Sequence, residues 1–155
     1  MNYQQHLQNI LNIIVGKKLN HLKPIFEVMS FGFGEYALHT LGLTRIIKDN
    51  DILVTTLDYQ NWDGEEPFNN DEHYFIKKFN DQIVGGVVTS VKVSSLYDLE
   101  IEMDNGVRIE VYVQNGYNHF DEDHNQWLFF KVDEEGDNAP FVSVYNKTVE
   151  ITGEW

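Results

Sequence analysis

The sequence predicts a single α+β domain over residues 1–155, with a mainly antiparallel β-sheet and two helices, one of them N-terminal, packed on one face. Three observations support this class. Apolar residues recur at helical spacing near the N-terminus and again after residue 70. Elsewhere, runs of β-branched and aromatic residues alternate with polar residues and are separated by turn residues. The regular strand–helix–strand alternation of a parallel sheet is absent from the pattern.

The first helix is predicted over residues 3–15. A single apolar stripe with i, i+3, i+4, i+7 spacing runs through this stretch and is formed by Leu7, Ile10, Leu11, Ile14 and Val15. Asn2 is placed to cap the first turn, and Gly16 stands where a helix ends. Lys17 and Lys18 follow, beside the negative end of the helix dipole.

Several strands are predicted to follow this helix. Residues 19–22 are consistent with a short strand, and residues 25–33 are rich in aromatic and β-favouring residues. Residues 36–47 and 52–58 flank a polar turn at 48–51. This pattern predicts an antiparallel hairpin.

The second half of the chain begins with a predicted helix over residues 71–82. This stretch has acidic residues in its first turn and is followed by a pair of glycines. A strand is predicted over residues 87–93. Further strands are predicted at 127–132 and 141–145, with an acidic turn between them.

Residues 97–113 form the most regular pattern in the chain, because period-two alternation continues on both sides of Asn105-Gly106. A two-residue loop would place apolar side chains on both faces of the resulting hairpin. A three-residue turn that begins at Asp104 places six aliphatic side chains on one face, namely Leu99, Ile101, Met103, Val107, Ile109 and Val111. The apolar pattern therefore predicts the three-residue turn, with Gly106 in the left-handed conformation.

The opposite face of this hairpin is predicted to be acidic. Glu100 lies across from Glu110, and Glu102 lies across from Arg108. Like charges directly opposite each other on a sheet are unfavourable. An acidic face of this kind would suit a basic partner surface, since charge complementarity gives specificity and fast association. An ordinary solvated face is the alternative.

The charge balance of the chain narrows the classes of partner. The chain has 25 Asp and Glu against 11 Lys and Arg, which gives a formal net charge of −14. A protein this acidic repels nucleic acid and anionic membranes and attracts basic partners, with an association rate that falls as salt rises. We therefore expect a basic protein partner, and neither nucleic acid nor membrane.

The chain contains no cysteine, which excludes disulfides, thiolate zinc sites and cysteine nucleophiles. No apolar run approaches the roughly 20 residues that cross a bilayer. The first residues lack the pattern of a secretory signal peptide. We expect a cytoplasmic protein that uses no cofactor.

Several short sequence motifs resemble those of known proteins. They are GKKL at 16–19, FGFGE at 31–35, EYALH at 35–39 followed by Arg45-Ile46, and a pattern of Asp98-Leu99, Asn105-Gly106 and a downstream Trp127. Together they resemble an uncharacterised group of small acidic bacterial proteins, some of which are similar to immunity proteins of toxin systems. The resemblance implies no established activity.

The sequence favours a non-enzymatic acidic binding protein, with an immunity protein that neutralises a basic toxin as the specific hypothesis. The residues expected to contact the partner are Glu100, Glu102, Glu110, Trp62, Asp121, Glu122 and Asp123. The carboxylates would supply charge complementarity, and the tryptophan would be an apolar anchor within a polar loop.

Two alternatives use other residues. His39 is expected to be a hydrogen-bonded core histidine, or else a pocket residue paired with Arg45 that binds an anion. A small metal-dependent hydrolase would use the 119–124 loop, in which His119 and His124 flank carboxylates of the kind that bind divalent metals. A structural or accessory protein, acidic for solubility alone, is the third possibility.

Overall fold

The computed structural model describes residues 2–25, 27–59, 71–116, 124–146 and 148–155. The helices are α1 (Gln4–Leu11), continued by a 3₁₀ turn (Asn12–Ile14), α2 (Thr56–Tyr59) and α3 (Asp71–Ile83). The strands are β1 (His21–Ile25), β2 (Val28–Phe33), β3 (Tyr36–Thr40), β4 (Leu43–Lys48), β5 (Asp51–Thr55), β6 (Val88–Val93), β7 (Leu99–Met103), β8 (Val107–Tyr112), β9 (Trp127–Lys131), β10 (Phe141–Val144) and β11 (Val149–Thr152). The predicted α+β class is confirmed.

The strands are divided between two antiparallel sheets, a division that the sequence pattern did not reveal. The six-stranded sheet has the order β1-β2-β3-β9-β10-β11, and the five-stranded sheet has the order β5-β4-β8-β7-β6. Buried side chains from both sheets join one hydrophobic cluster, which includes Phe31, Leu38, Trp127 and Phe129 from the first sheet and Ile46, Val91, Ile101 and Ile109 from the second. The outer faces of the two sheets therefore point away from this shared core.

The predicted β7–β8 hairpin is confirmed in its register. Glu100 pairs with Glu110, and Glu102 pairs with Arg108. Gly106 adopts a φ of +82°, the left-handed conformation that the three-residue turn requires. The six aliphatic side chains of the inner face are each 5% exposed or less.

The prediction that residues 36–47 form one arm of a hairpin is wrong. The run breaks at Leu41 and Gly42, so β3 belongs to the six-stranded sheet and β4 to the five-stranded sheet. The other half of the prediction is confirmed, because β4 and β5 pair across a tight turn in which Asp49 and Asn50 have positive φ. This geometry is typical of a two-residue hairpin turn.

Both long helices contact edge strands. α1 packs on β6, where the side chains of Leu7, Ile10 and Leu11 are buried. The side-chain amide nitrogen of Gln8 donates to the carbonyl of Val91 at 2.8 Å. The side-chain oxygen of Gln8 accepts from the backbone N–H of Val93, also at 2.8 Å. These bonds satisfy backbone groups that an edge strand otherwise leaves open.

α3 contacts β1, the edge strand of the other sheet, which contains Pro24. A proline is tolerated there because an edge strand does not need every backbone donor. No helix in the described part of the chain is long and apolar enough to cross a membrane.

Candidate functional site

The outer face of the five-stranded sheet holds a polar cluster centred on Glu110. Its neighbours in register are Glu100 on β7 and Arg45 on β4, so the carboxylates at 100 and 110 share a face as predicted. Glu110 itself is only 7% exposed, although its strand parity points it away from the core. Its partners explain this burial.

The carboxylate of Glu110 accepts four hydrogen bonds. Arg45 donates to Oε1 from Nε at 3.0 Å and from Nη2 at 2.5 Å. Arg108 donates to Oε2 from Nε at 2.9 Å. The hydroxyl of Tyr112 donates to Oε1 at 2.9 Å, and its ring lies 5.8 Å from the guanidinium carbon of Arg45. Both carboxylate oxygens are therefore occupied by neighbouring side chains.

The ionisation of this cluster follows from its contacts. Burial by itself raises the pKa of Glu110, but hydrogen bonds from Arg45, Tyr112 and Arg108 favour the ionised form and hold the pKa below its ordinary value of 4.5. Burial and the bond to the carboxylate raise the pKa of Tyr112. At neutral pH the cluster contains one anion, two cations and a neutral phenol.

The prediction that this face is acidic is wrong. The register places three cations and three carboxylates on it, namely Lys92, Arg45, Arg108, Glu100, Glu102 and Glu110. The formal charge of these six paired residues is therefore zero. A concavity of about 420 Å³ opens beside the cluster and is lined in part by Gln8, Lys92, Glu100 and Tyr112.

His39 and Arg45 do not form a pair. His39 lies on β3 of the six-stranded sheet, whereas Arg45 lies on β4 of the other sheet and binds Glu110. The half-buried imidazole of His39 stands edge-on to the ring of Phe130, with centroids 5.0 Å apart. Burial, with the nearby His21, lowers the pKa of His39 from its ordinary 6.5.

Several predicted site residues lie outside the described residues, namely Trp62, His119, Asp121, Glu122 and Asp123. His124 is described and is exposed, and its carbonyl accepts a hydrogen bond from the amide of Gln126. Within the ranges described, no three His, Cys, Asp or Glu side chains are gathered closely enough to hold a metal ion.

A second candidate surface lies at one end of the six-stranded sheet. Six exposed carboxylates lie in the turn between β9 and β10 and near it; we call them the acidic tip, and they are Glu35, Asp133, Glu134, Glu135, Asp137 and Glu154. The N–H of Val132 donates to the carbonyl of Glu35 at 2.7 Å, and Glu134 and Glu154 line one concavity. Lys131 forms an ion pair with Glu134 at 2.8 Å.

Apolar side chains adjoin the acidic tip on the outer face of this sheet. The rings of Phe130 and Phe141 are stacked with centroids 5.5 Å apart, and Phe141 is 36% exposed. Val132, directly after β9, is 51% exposed. The acidic turn was visible in the sequence, but its position beside this aromatic pair depends on the pairing of β9 with β10.

The described residues thus define an α+β protein of two antiparallel sheets, with a polar cluster centred on Glu110 on one outer face and an acidic tip beside exposed aromatic side chains on the other. Comparison of the chain with protein-family models, with curated proteins and with solved structures found no match in any of the three.

Proposed function

We propose that this chain is a non-enzymatic binding protein that uses its acidic tip and the adjoining aromatic pair to bind a basic protein. The observation that carries the proposal is the juxtaposition of these two features at one end of the six-stranded sheet. The more specific proposal is an immunity protein that binds a basic toxin domain. The resemblance of the chain to an uncharacterised group of small acidic bacterial proteins, some of which are similar to immunity proteins, supports this choice.

The charge of the tip supports a basic partner. Its six carboxylates and Lys131 have a formal charge of −5, a large share of the −14 of the whole chain. Exposed charges gathered in one region steer an oppositely charged partner and raise its association rate, an effect that salt weakens. The neutral face of the five-stranded sheet offers no comparable attraction.

The apolar part of the surface supports a protein partner over a small cation. Interfaces combine an aromatic centre, which supplies most of the binding free energy, with a charged rim. Phe141 and Phe130 provide the centre, and the acidic tip provides the rim on one side. A hydrated inorganic cation would leave the exposed ring of Phe141 in contact with water, whereas a protein surface would bury it.

The experiment measures binding kinetics at low and high salt with the purified product of the adjacent gene, chosen if that product is a basic protein. The test variant neutralises three carboxylates of the tip, Asp133→Asn, Glu135→Gln and Asp137→Asn. The matched control removes the same charge elsewhere on the surface, at the exposed residues Glu27, Asp51 and Asp81. Phe141→Ser tests the aromatic centre separately.

We expect the tip variant to lower the association rate constant by about tenfold or more at low salt and the control to lower it by less than about threefold. Phe141→Ser should mainly raise the dissociation rate constant. Equal losses in the two charge variants would show that net charge alone is responsible. No binding by the unmodified protein at low salt would contradict the proposal for that partner.

A further inference from the structure

The two arginines of this chain are found at one place. The sequence contains only Arg45 and Arg108, and the other nine cationic side chains are lysines. Although they are 63 positions apart in the sequence, both arginines bind the carboxylate of Glu110. Arginine differs from lysine in presenting a planar fork of donors that matches an oxyanion.

The contacts hold both guanidinium groups in fixed positions. Arg45 is tied through two nitrogens to Glu110 and lies over the ring of Tyr112. Arg108 is tied through Nε alone. A side chain that is already ordered loses less conformational entropy when it binds a ligand.

Donors remain unused in this arrangement. A guanidinium has five N–H donors, and Arg108 commits one of them. In the described part of the chain, no hydrogen-bond acceptor lies within bonding distance of its two terminal nitrogens. Its side chain is 35% exposed and that of Arg45 is 36% exposed, so solvent reaches both groups.

The carboxylate that could have occupied these donors points elsewhere. Glu102 lies directly across from Arg108 in the register. Its Oε2 accepts a hydrogen bond from the hydroxyl of Ser90 on β6, at 3.4 Å, on the side away from β8. The cluster of Arg45, Arg108 and ionised Glu110 therefore has one net positive charge, in a chain whose formal net charge is −14.

We propose that Arg45 and Arg108, held by Glu110, form a binding site for an oxyanion, either a carboxylate or a phosphate group of a ligand. The terminal nitrogens of Arg108 provide the fork, and Arg45 provides the second positive charge beside it. This site lies on the five-stranded sheet and is independent of the proposed binding of a basic protein at the acidic tip.

The test uses NMR of the full chain labelled with ¹⁵N, because two arginines give only two signals in the Nε–Hε region. Sodium phosphate and sodium succinate are titrated in separate arms at constant ionic strength, with sodium chloride as the reference. Arg108→Lys keeps the charge but removes the fork, and Arg108→Gln removes both. Lys92→Gln, which removes a cation from the same face, is the matched control. Backbone spectra verify that each variant is folded.

We expect saturable shifts of both arginine signals with phosphate, succinate or both, and none with chloride. The arm that saturates at the lower concentration identifies the preferred oxyanion. Binding should weaken by about tenfold in Arg108→Gln and nearly as much in Arg108→Lys, and by less than about threefold in Lys92→Gln. Shifts that are linear for every salt, or saturation that persists in folded Arg108→Gln, would overturn the proposal.

Discussion

Replacement of Glu110 by glutamine tests how much its ion-pair cluster contributes to folding. Glu110→Gln keeps the shape of the side chain but removes its charge and one of its two oxygen acceptors. The arginines then keep their positive charges without an anion between them. Because Glu110 is buried, we expect this change to destabilise the folded protein.

The magnitude follows from the contacts. Hydrogen bonds to charged groups contribute roughly 1.5–3 kcal/mol each when fully buried. Both arginines are about one-third exposed, so hydrogen bonds to water can replace much of the interaction with the carboxylate that they lose. We expect a net loss of about 2 kcal/mol in the free energy of unfolding. For a chain of 155 residues this lowers Tm by roughly 4–8 °C.

The assay is urea denaturation at several pH values, with Glu100→Gln as the matched control. Glu100 lies on the same face, directly opposite Glu110, and is more exposed. Its replacement should change the free energy of unfolding by less than about 0.5 kcal/mol. Equal effects of the two substitutions would refute the central role of Glu110.

The pH dependence has a defined sign. The pKa of Glu110 is lowered in the folded protein, so its stabilising contribution is complete above the ordinary pKa of 4.5 and is lost as pH falls through the lowered value. The stability difference between the unmodified protein and Glu110→Gln should therefore be constant near neutrality and shrink below about pH 4. A difference that grew on acidification would contradict the assigned ion pairs.

Three further outcomes are expected. Gly42→Ala should lower the free energy of unfolding by about 2 kcal/mol or more, because its new Cβ would lie 2.5 Å from a backbone carbonyl oxygen. Gly116→Ala should change little in the same denaturation assay, because no atom of the described residues lies within 4 Å of its new Cβ. Trp127→Phe should cost about 2–3 kcal/mol by calorimetry, since the fully buried indole donates a 2.8 Å hydrogen bond to a loop carbonyl that would lose its partner. The lowered pKa of His39 disfavours its protonation in the folded state, so the free energy of unfolding should fall as pH drops below 6.5, and should fall by less in a His39→Gln variant. In His21→Gln, NMR titration should find the pKa of His39 higher than in the unmodified protein.

The elements that were predicted well are those whose residue pattern depends only on positions close together in the sequence. The β7–β8 register follows from the alternation of residues on both sides of one turn, and the helix at residues 3–15 follows from a single apolar stripe. In the hairpin the buried face and the turn residue agree with the prediction. In the helix Leu7, Ile10, Leu11 and Ile14 are buried, whereas Val15, the last residue of the predicted stripe, lies beyond the helix and is 43% exposed. No distant contact is needed to choose between alternatives.

The break between the two sheets was missed because the alternation passes through it without a change of phase. Thr40 and Thr44, on either side of the break, are both fully buried, and their hydroxyls form a 2.9 Å hydrogen bond. The backbone N–H of Thr44 donates to the hydroxyl of Thr56 at 2.7 Å. Gly42 was the available signal, since glycine within a strand pattern often marks a close approach of backbone. Here that backbone is the carbonyl of Tyr112.

The environment of Glu110 could not be predicted from local pattern. Alternation placed its side chain on the outer face of the hairpin, which is correct. Its main partner, Arg45, is 65 residues away and reaches it only because β4 pairs with β8. The charge of a sheet face depends on all the strands that compose it, so a single hairpin was insufficient to predict it.

The attachment of α1 to β6 has a consequence for the order of events in folding. The amide of Gln8 meets the carbonyl of Val91, which is synthesised 83 residues later. Until β6 exists, α1 lacks the strand that it contacts most, and until α1 docks, β6 offers an open edge to other chains. The amide of Gln4 likewise donates to the carbonyl of Val93 at 3.0 Å. We therefore expect a variant with alanine at both glutamines to self-associate more during refolding than the unmodified protein at the same concentration.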